Sequence, residues 1–201
     1  MSIYELKPKF QALLRPLVTR LAAAGVTANQ VTLAACFISL AVGAAVWWCA
    51  ANPVVFLLIP VWMLLRMALN AVDGMLAREF GQKSALGAYL NEVTDVLSDA
   101  ALYFPFALLA GSSMPLVTLV IVLAAVSEMT GTVAVMTGAS RRYDGPMGKS
   151  DRAFVFGLLG LLAGLGVPLA GWLNAVWLAL AALIALTIVN RVRRGLAEIK
   201  R

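Results

Sequence analysis

The chain has 201 residues, of which 62% are hydrophobic and 13% charged, with a mean hydropathy of +0.89. A soluble domain carries about 25% charged residues, so an ordinary soluble globule and a disordered chain are both excluded. The formal charge is +6 and histidine is absent, which excludes an imidazole zinc site and leaves acid–base chemistry to another group, a carboxylate first.

Residues 3–24 come first. Leu13, Leu14, Leu17 and Leu21 recur at helical spacing, with Lys9, Arg15 and Arg20 among them. This predicts an interfacial amphipathic helix lying on a membrane, broken or kinked at Pro8 and Pro16. Three stretches then lack Asp, Glu, Lys and Arg: 45 residues at 21–65, 28 at 100–127 and 38 at 153–190. A helix needs roughly 20 apolar residues to cross the hydrocarbon core. Six spans follow, at 31–51, 54–78, 87–110, 115–139, 152–167 and 168–190, with a basic tail at 191–201. The expected fold is one all-α polytopic membrane domain over 1–201, a six-helix bundle at 31–190 behind the interfacial helix. Cys36 and Cys49 lie in the first span, about 20 Å apart along a helix, beyond disulfide reach.

Basic residues alternate by side. Lys7, Lys9, Arg15 and Arg20 precede the first span, and Arg78 and Lys83 follow the second. Arg141, Arg142, Lys149 and Arg152 follow the fourth, and Arg191, Arg193, Arg194, Lys200 and Arg201 the sixth. The three opposite loops have none. The positive-inside rule puts both termini and the charged loops in the cytoplasm, and the charge suits anionic membrane lipid. Without basic–aromatic interleaving, nucleic acid is not an expected partner. Gly160 and Gly164 form a GxxxG pair, read as close helix packing within the chain.

Charges at membrane depth are costly and functional suspects. Asp73, Glu92, Asp95, Asp99, Glu128 and Arg66 are placed there. On the second span Arg66, Asn70, Asp73, Gly74 and Ala77 share a stripe, and on the third Gly87, Asn91, Asp95 and Asp99 follow an i, i+4 ladder. Two antiparallel spans would turn these stripes toward each other, opening near the cytoplasmic surface. Arg66 lies about 10.5 Å deeper than Asp73, at the depth of Asp99, so the two should pair, with Glu128 as the other candidate partner. The alternative role for Arg66 is holding an acceptor group. Lys149 and Arg152, three apart, could meet a phosphate of an acceptor or a lipid headgroup. Carboxylates and amide oxygens from two helices suit Mg²⁺, Mn²⁺ or Ca²⁺, and a metal with a phosphate substrate points to phosphoryl-type transfer on a lipid. A small transporter using the acids as an ion path is the rival reading. Against it, the polar residues stop near Asp99 and the opposite loops lack charge.

The stretch Asn70-Ala-Val-Asp73-Gly74-Met-Leu-Ala77-Arg78, followed after eight residues by Gly87-Ala-Tyr-Leu-Asn91-Glu-Val-Thr-Asp95, resembles the signature of the CDP-alcohol phosphotransferases, D-x2-D-G-x2-A-R-x8-G-x3-D-x3-D. The segment Gly25-Val-Thr27-Ala-Asn29-Gln-Val-Thr32 is similar to the one opening that family's first membrane helix. The resemblance implies a six-helix membrane enzyme, commonly a homodimer, expected in a bacterial inner membrane with its site facing the cytoplasm. It implies transfer of a phosphatidyl group from CDP-diacylglycerol to an alcohol, with release of CMP. Asp95 would be the base on the acceptor hydroxyl. Asp73, Asp95, Asn70 and Asn91 would hold one or two divalent ions, Mg²⁺ or Mn²⁺, and Asn29, Thr32, Gly74, Ala77, Arg78 and Ser84 would meet the donor. Two motif acids are asparagine here, which lowers the charge at the four positions from −4 to −2. One tightly bound ion is then expected, or a second completed by substrate pyrophosphate, with Glu92 and Asp99 as supporting acids. The same change raises a second reading, a catalytically silent homologue that binds nucleotide or lipid.

Overall fold

A computed structural model describes the backbone of residues 3–200 and the side chains of residues 9–200. Met1, Ser2 and Arg201, at the ends of the expected domain, and the side chain of Lys7 lie outside the described residues. Among the described residues the chain is helical throughout, without strands. The helices are α1 (Ile3–Ala23), α2 (Ala28–Trp48), α3 (Leu58–Glu79), α4 (Ala85–Tyr103), α5 (Met114–Met136), α6 (Lys149–Gly164) and α7 (Leu173–Ile199), with 3₁₀ turns at Pro53–Leu57 and Phe104–Leu108.

Local chemistry sets the boundaries. Gly25, at φ +77°, ends the turn after α1. Thr27 then caps α2: its hydroxyl accepts from the Gln30 amide at 3.2 Å, and the Gln30 side chain accepts from the Thr27 amide at 2.9 Å, which satisfies two otherwise orphaned donors. Gln82 accepts from the Ala28 amide at 2.6 Å, latching the α3–α4 loop onto this turn. Asn52 caps the first 3₁₀ turn through the Val54 amide at 3.2 Å.

Four helical segments are long and apolar enough to cross a membrane: Ala28–Trp48, Pro53–Glu79, Met114–Met136 and Leu173–Ile199. The chain is an integral membrane protein. The two remaining helices of the expected bundle stand apart for physical reasons. α4 carries Glu92, Asp95 and Asp99, and α6 has 16 residues and opens on Lys149, Asp151 and Arg152.

Two expectations change. α1 is unbroken across both prolines. Pro16 lies on its exposed face, where the carbonyl left without a partner can meet polar solvent. The span expected at 168–190 starts later and runs on to Ile199, so the basic tail is the end of a helix. α3 and α4 meet through a side chain, Arg66, which reaches Asp95 and Asp99 as the facing stripes predict. α2 packs on both α3 and α4, α5 packs on α4 and α7, and α6 packs on α3 and the first 3₁₀ turn.

Lipid is as apolar as a leucine side chain, so close packing and polar contacts hold such a bundle together. Gly43 brings α2 onto α4: a Cβ there would lie 2.7 Å from the carbonyl carbon of Ala101. The Gly160 and Gly164 pair works within the chain. Added Cβ atoms would lie 3.0 Å from the Phe56 carbonyl oxygen and 2.5 Å from Leu57 Cγ. Toward the uncharged loops the interior is aromatic. Tyr103 stacks on Phe156 at 3.7 Å, Phe156 on Trp177 at 5.5 Å, and Phe106 meets Phe156 edge-on at 5.2 Å.

The α5–α6 loop is strapped to the end of α7. Glu198 accepts from the Ser140 amide at 3.0 Å and from Arg142 Nη1 at 2.5 Å. Asp144 accepts from Arg142 Nε and Arg194 Nη1, both at 2.8 Å, and Thr187 Oγ1 accepts from the Met147 amide at 3.0 Å. Burial pushes the Asp144 carboxyl up, but the hydrogen bonds from Arg142 and Arg194 outweigh it and hold it below the usual range. A carboxyl lowered by folding contributes its stability above its unfolded value, about 3.9, and loses it as pH falls through the folded value. Asp144→Asn should therefore melt below wild type at pH 7. That gap should close as the pH drops below the ordinary carboxylate range; a gap of equal size at acid pH would show that the strap does not act through this charge.

Candidate functional site

The α3 stripe and the α4 ladder face one another across a gap floored by α2. On the α3 side Asp73 is buried, and its Oδ2 accepts from Thr32 Oγ1 of α2 at 2.8 Å. Arg78 folds back over Gly74, where an added Cβ would sit 2.9 Å from its Nη2. A larger residue there would displace the guanidinium. Gly87, one turn into α4, is similarly hemmed: a Cβ would lie 2.9 Å from Asn29 Oδ1 and 3.1 Å from Ser84 Oγ. Ser84 caps α4 by accepting from the Gly87 amide at 3.0 Å. Asn29, Ser84 and Gly87 are thus one cluster. Thr32 with Asp73 and Arg78 with Gly74 form two more contacts on the stripe that carries Asn70 and Ala77. Asn70 is half-buried and Asn91 is exposed.

Deeper in the gap the charges form one alternating chain. Lys149 contacts Asp95 Oδ2, and Arg66 Nη2 lies 3.0 Å from Asp95 Oδ1. Arg66 Nη1 donates to Asp99 Oδ1 at 2.6 Å, the pairing that helix depth predicts. Arg152 Nη2 follows, 3.6 Å from Asp99 Oδ2 and 2.9 Å from Glu128 Oε1. Glu128 Oε2 accepts from Arg141 at 3.3 Å, and Arg141 pairs in turn with Glu92. Arg191 Nη1 stands 3.5 Å from Glu128 and donates to the Ser127 carbonyl at 2.5 Å. The chain thus links α3, α4, α5, α6 and α7. Glu128 is therefore the centre of an arginine cluster rather than a partner of Arg66. The two acids expected to support a metal, Asp99 and Glu92, are both committed to arginines.

Arg141 and Arg191 have site roles that the sequence reading missed, because the positive-inside pattern already accounted for them. Arg191 is 2% exposed. The signal was present in the spacing: Thr187, Arg191 and Gly195 follow i, i+4 and all are buried on one face of α7. Around the network the space is small. The cavity lined by Asp99, Tyr103, Glu128 and Arg152 has about 10 Å³, room for one water and no substrate.

Among the described residues no three acids, cysteines or histidines converge on a metal position. Two carboxylates with two amide oxygens remain, Asp73 and Asp95 with Asn70 and Asn91. That hard-oxygen set fits one ion of the magnesium type, which takes one or two carboxylates and completes its shell with substrate phosphates.

Removing one partner of a buried pair leaves a bare charge, at a cost of about 3–5 kcal/mol. Arg66→Leu should lower the melting temperature strongly, and adding Asp99→Leu should recover much of the loss. If the double variant melts no higher than the single, the pair does not carry this coupling.

The sequence profile of the CDP-alcohol phosphatidyltransferases matches residues 25–189. Inner membrane protein YnbA of Escherichia coli (strain K12) is 46% identical over 193 residues, which cover 96% of each chain. Two crystal structures of Mycobacterium tuberculosis phosphatidylinositol phosphate synthase (PgsA1) share the fold with TM-scores of 0.73. One, in complex with manganese and citrate, is 22% identical over 90% of this chain and 87% of its own. The other, with CDP-DAG bound, is 21% identical over 90% and 92%. The chain belongs to the CDP-alcohol phosphatidyltransferase family.

Proposed function

We propose that the chain transfers a phosphatidyl group from CDP-diacylglycerol to an alcohol and releases CMP. The observation that carries this reading is the convergence of the motif residues around the gap beside α2: Asp73 on Thr32, Arg78 on Gly74, and Asn29 and Ser84 around Gly87. The mycobacterial structure that holds CDP-DAG has the same fold, which supports the donor assignment. Asn29, Thr32, Gly74, Ala77, Arg78 and Ser84 bind the donor nucleotide and phosphates. Asp95 takes the proton from the acceptor hydroxyl. The acceptor oxygen forms its bond to the phosphorus that bears diacylglycerol, and the bond from that phosphorus to the CMP oxygen breaks. Arg66 orients Asp95, whereas Arg152 is buried on Asp99 and Glu128 and braces the ion chain rather than meeting a phosphate.

The family uses divalent metals. Asp73 and Asp95, with the amide oxygens of Asn70 and Asn91, would hold one Mg²⁺ or Mn²⁺, which when bound draws charge from the phosphates. α2 to α7 are the six membrane-spanning helices, and α1 lies at the interface, with Leu13 and Leu17 exposed toward lipid and Arg15 paired with Glu79 at 3.1 Å. The basic residues put both termini and the gap in the cytoplasm. The chain works as a homodimer.

The second reading is a silent binding homologue. Asn70 and Asn91 favour it, together with the cations at both oxygens of Asp95. One variant separates the two. Asp95→Asn should cut CMP release by about 10²–10⁴-fold, the range of general-base catalysis, while CDP-diacylglycerol still raises its melting temperature. Equal CMP release from Asp95→Asn and wild type would remove Asp95 from the chemistry.

A further inference from the structure

The family pattern places carboxylates at the positions held here by Asn70, Asp73, Asn91 and Asp95, so half of that charge is missing. Two cations meet the remaining acid of α4, and they are not equivalent. The Arg66 side chain is 6% exposed, and its bonds to Asp99 at 2.6 Å and to the Asp95 carbonyl at 3.2 Å fix it in place. The Lys149 side chain is 31% exposed, and Asp95 is its one anionic partner among the described residues. Its backbone is held at the start of α6, where Asp151 accepts from the Gly148 amide at 2.9 Å. Its four-carbon stem is free to turn. An ammonium is a compact charge on a flexible stem, so it can pass from a carboxylate to a phosphate oxygen.

Charge sets how many ions the gap can take. Asp73, Asp95 and Asp99 bring three negative charges, and Arg66 and Lys149 two positive ones, with Arg152 a third shared between Asp99 and Glu128. One divalent ion already tips this group positive, which suits an incoming diphosphate. A second would add two more charges with no carboxylate to receive them, and such a cation would stay strongly hydrated rather than bind.

Building on the donor site above, we propose that Lys149 stands in for a second divalent ion. It neutralises Asp95 at rest, turns to a phosphate oxygen when the donor binds, and limits the chain to one ion. The turn also frees one oxygen of Asp95 to accept the proton of the acceptor.

The test counts ions directly. Full-length protein in nanodiscs is titrated with Mn²⁺ in the presence of CDP, and free ion is read from its paramagnetic resonance signal. The expected count is one per chain in the wild type and in Lys149→Arg, which keeps the charge. It should stay at one in Asn70→Asp/Asn91→Asp, which keeps the lysine, and rise to two in Asn70→Asp/Asn91→Asp/Lys149→Gln. Two ions per wild-type chain would overturn the proposal without need of any variant. So would a folded triple variant that still binds one. Donor binding is read separately, from the melting-temperature shift with CDP-diacylglycerol at saturating Mn²⁺. No shift contradicts the donor site itself and the proposal with it, whereas a shift together with two ions contradicts only the role of Lys149.

Discussion

A charge inside a bundle surrounded by lipid must have a partner, and this requirement organises the molecule. Stripped of water, a carboxylate or guanidinium costs several kcal/mol unless its neighbour repays it. Here the repayment runs through one chain of contacts, from Lys149 through Asp95, Arg66, Asp99, Arg152 and Glu128 to Arg141 and Glu92. Each member lies on a different helix or loop from the next. The ion chain is therefore also the main polar fastening among α3, α4, α5 and α6. Arg191 adds α7 through Glu128 and Ser127.

The same fastening divides the interior. Below the ion chain, Tyr103, Phe106, Phe156 and Trp177 fill the space. Above it, α3 and α4 both pack on α2, with Asp73, Arg78, Asn29 and Ser84 gathered along them. These polar residues gather at the end of the bundle that carries the basic loops. The strap from Ser140, Arg142 and Asp144 to Arg194 and Glu198 belongs to that end as well. It fixes the loop that carries Arg141 inward and delivers Lys149 to the start of α6. A helix that reads as a basic tail thus positions two cations of the gap.

Much of this was legible in the sequence because helix geometry is rigid. A rise of 1.5 Å per residue was enough to put Arg66 and Asp99 at one depth, and they meet at 2.6 Å. The fixed spacing from Asn70 to Asp95 was enough to point to the family. Helix faces give direction, however, and not distance. Nothing in the two stripes says that α2 would pack on both α3 and α4, which depends on Gly43 admitting the Ala101 backbone. Arg191 and Arg141 were hidden by a sufficient but incomplete explanation, since a cytoplasmic arginine needs no further role. Pro16 misled in the other direction: a proline disrupts a helix when its freed carbonyl is buried, and here it lies on the exposed face.

The central claim is that a site with two carboxylates and resident cations still moves a phosphatidyl group. The most direct test is the lipid product. Purified protein in nanodiscs containing CDP-diacylglycerol is supplied with Mg²⁺ or Mn²⁺ and each of a set of alcohols, and the lipid extract is analysed by mass spectrometry. The account predicts a new phospholipid with one of them, its mass equal to the donor's phosphatidyl group joined to that alcohol, formed in step with CMP and lost on chelation. No new lipid and no CMP with any alcohol, from protein that CDP-diacylglycerol still stabilises, would contradict it and leave a binding protein built on an enzyme's frame.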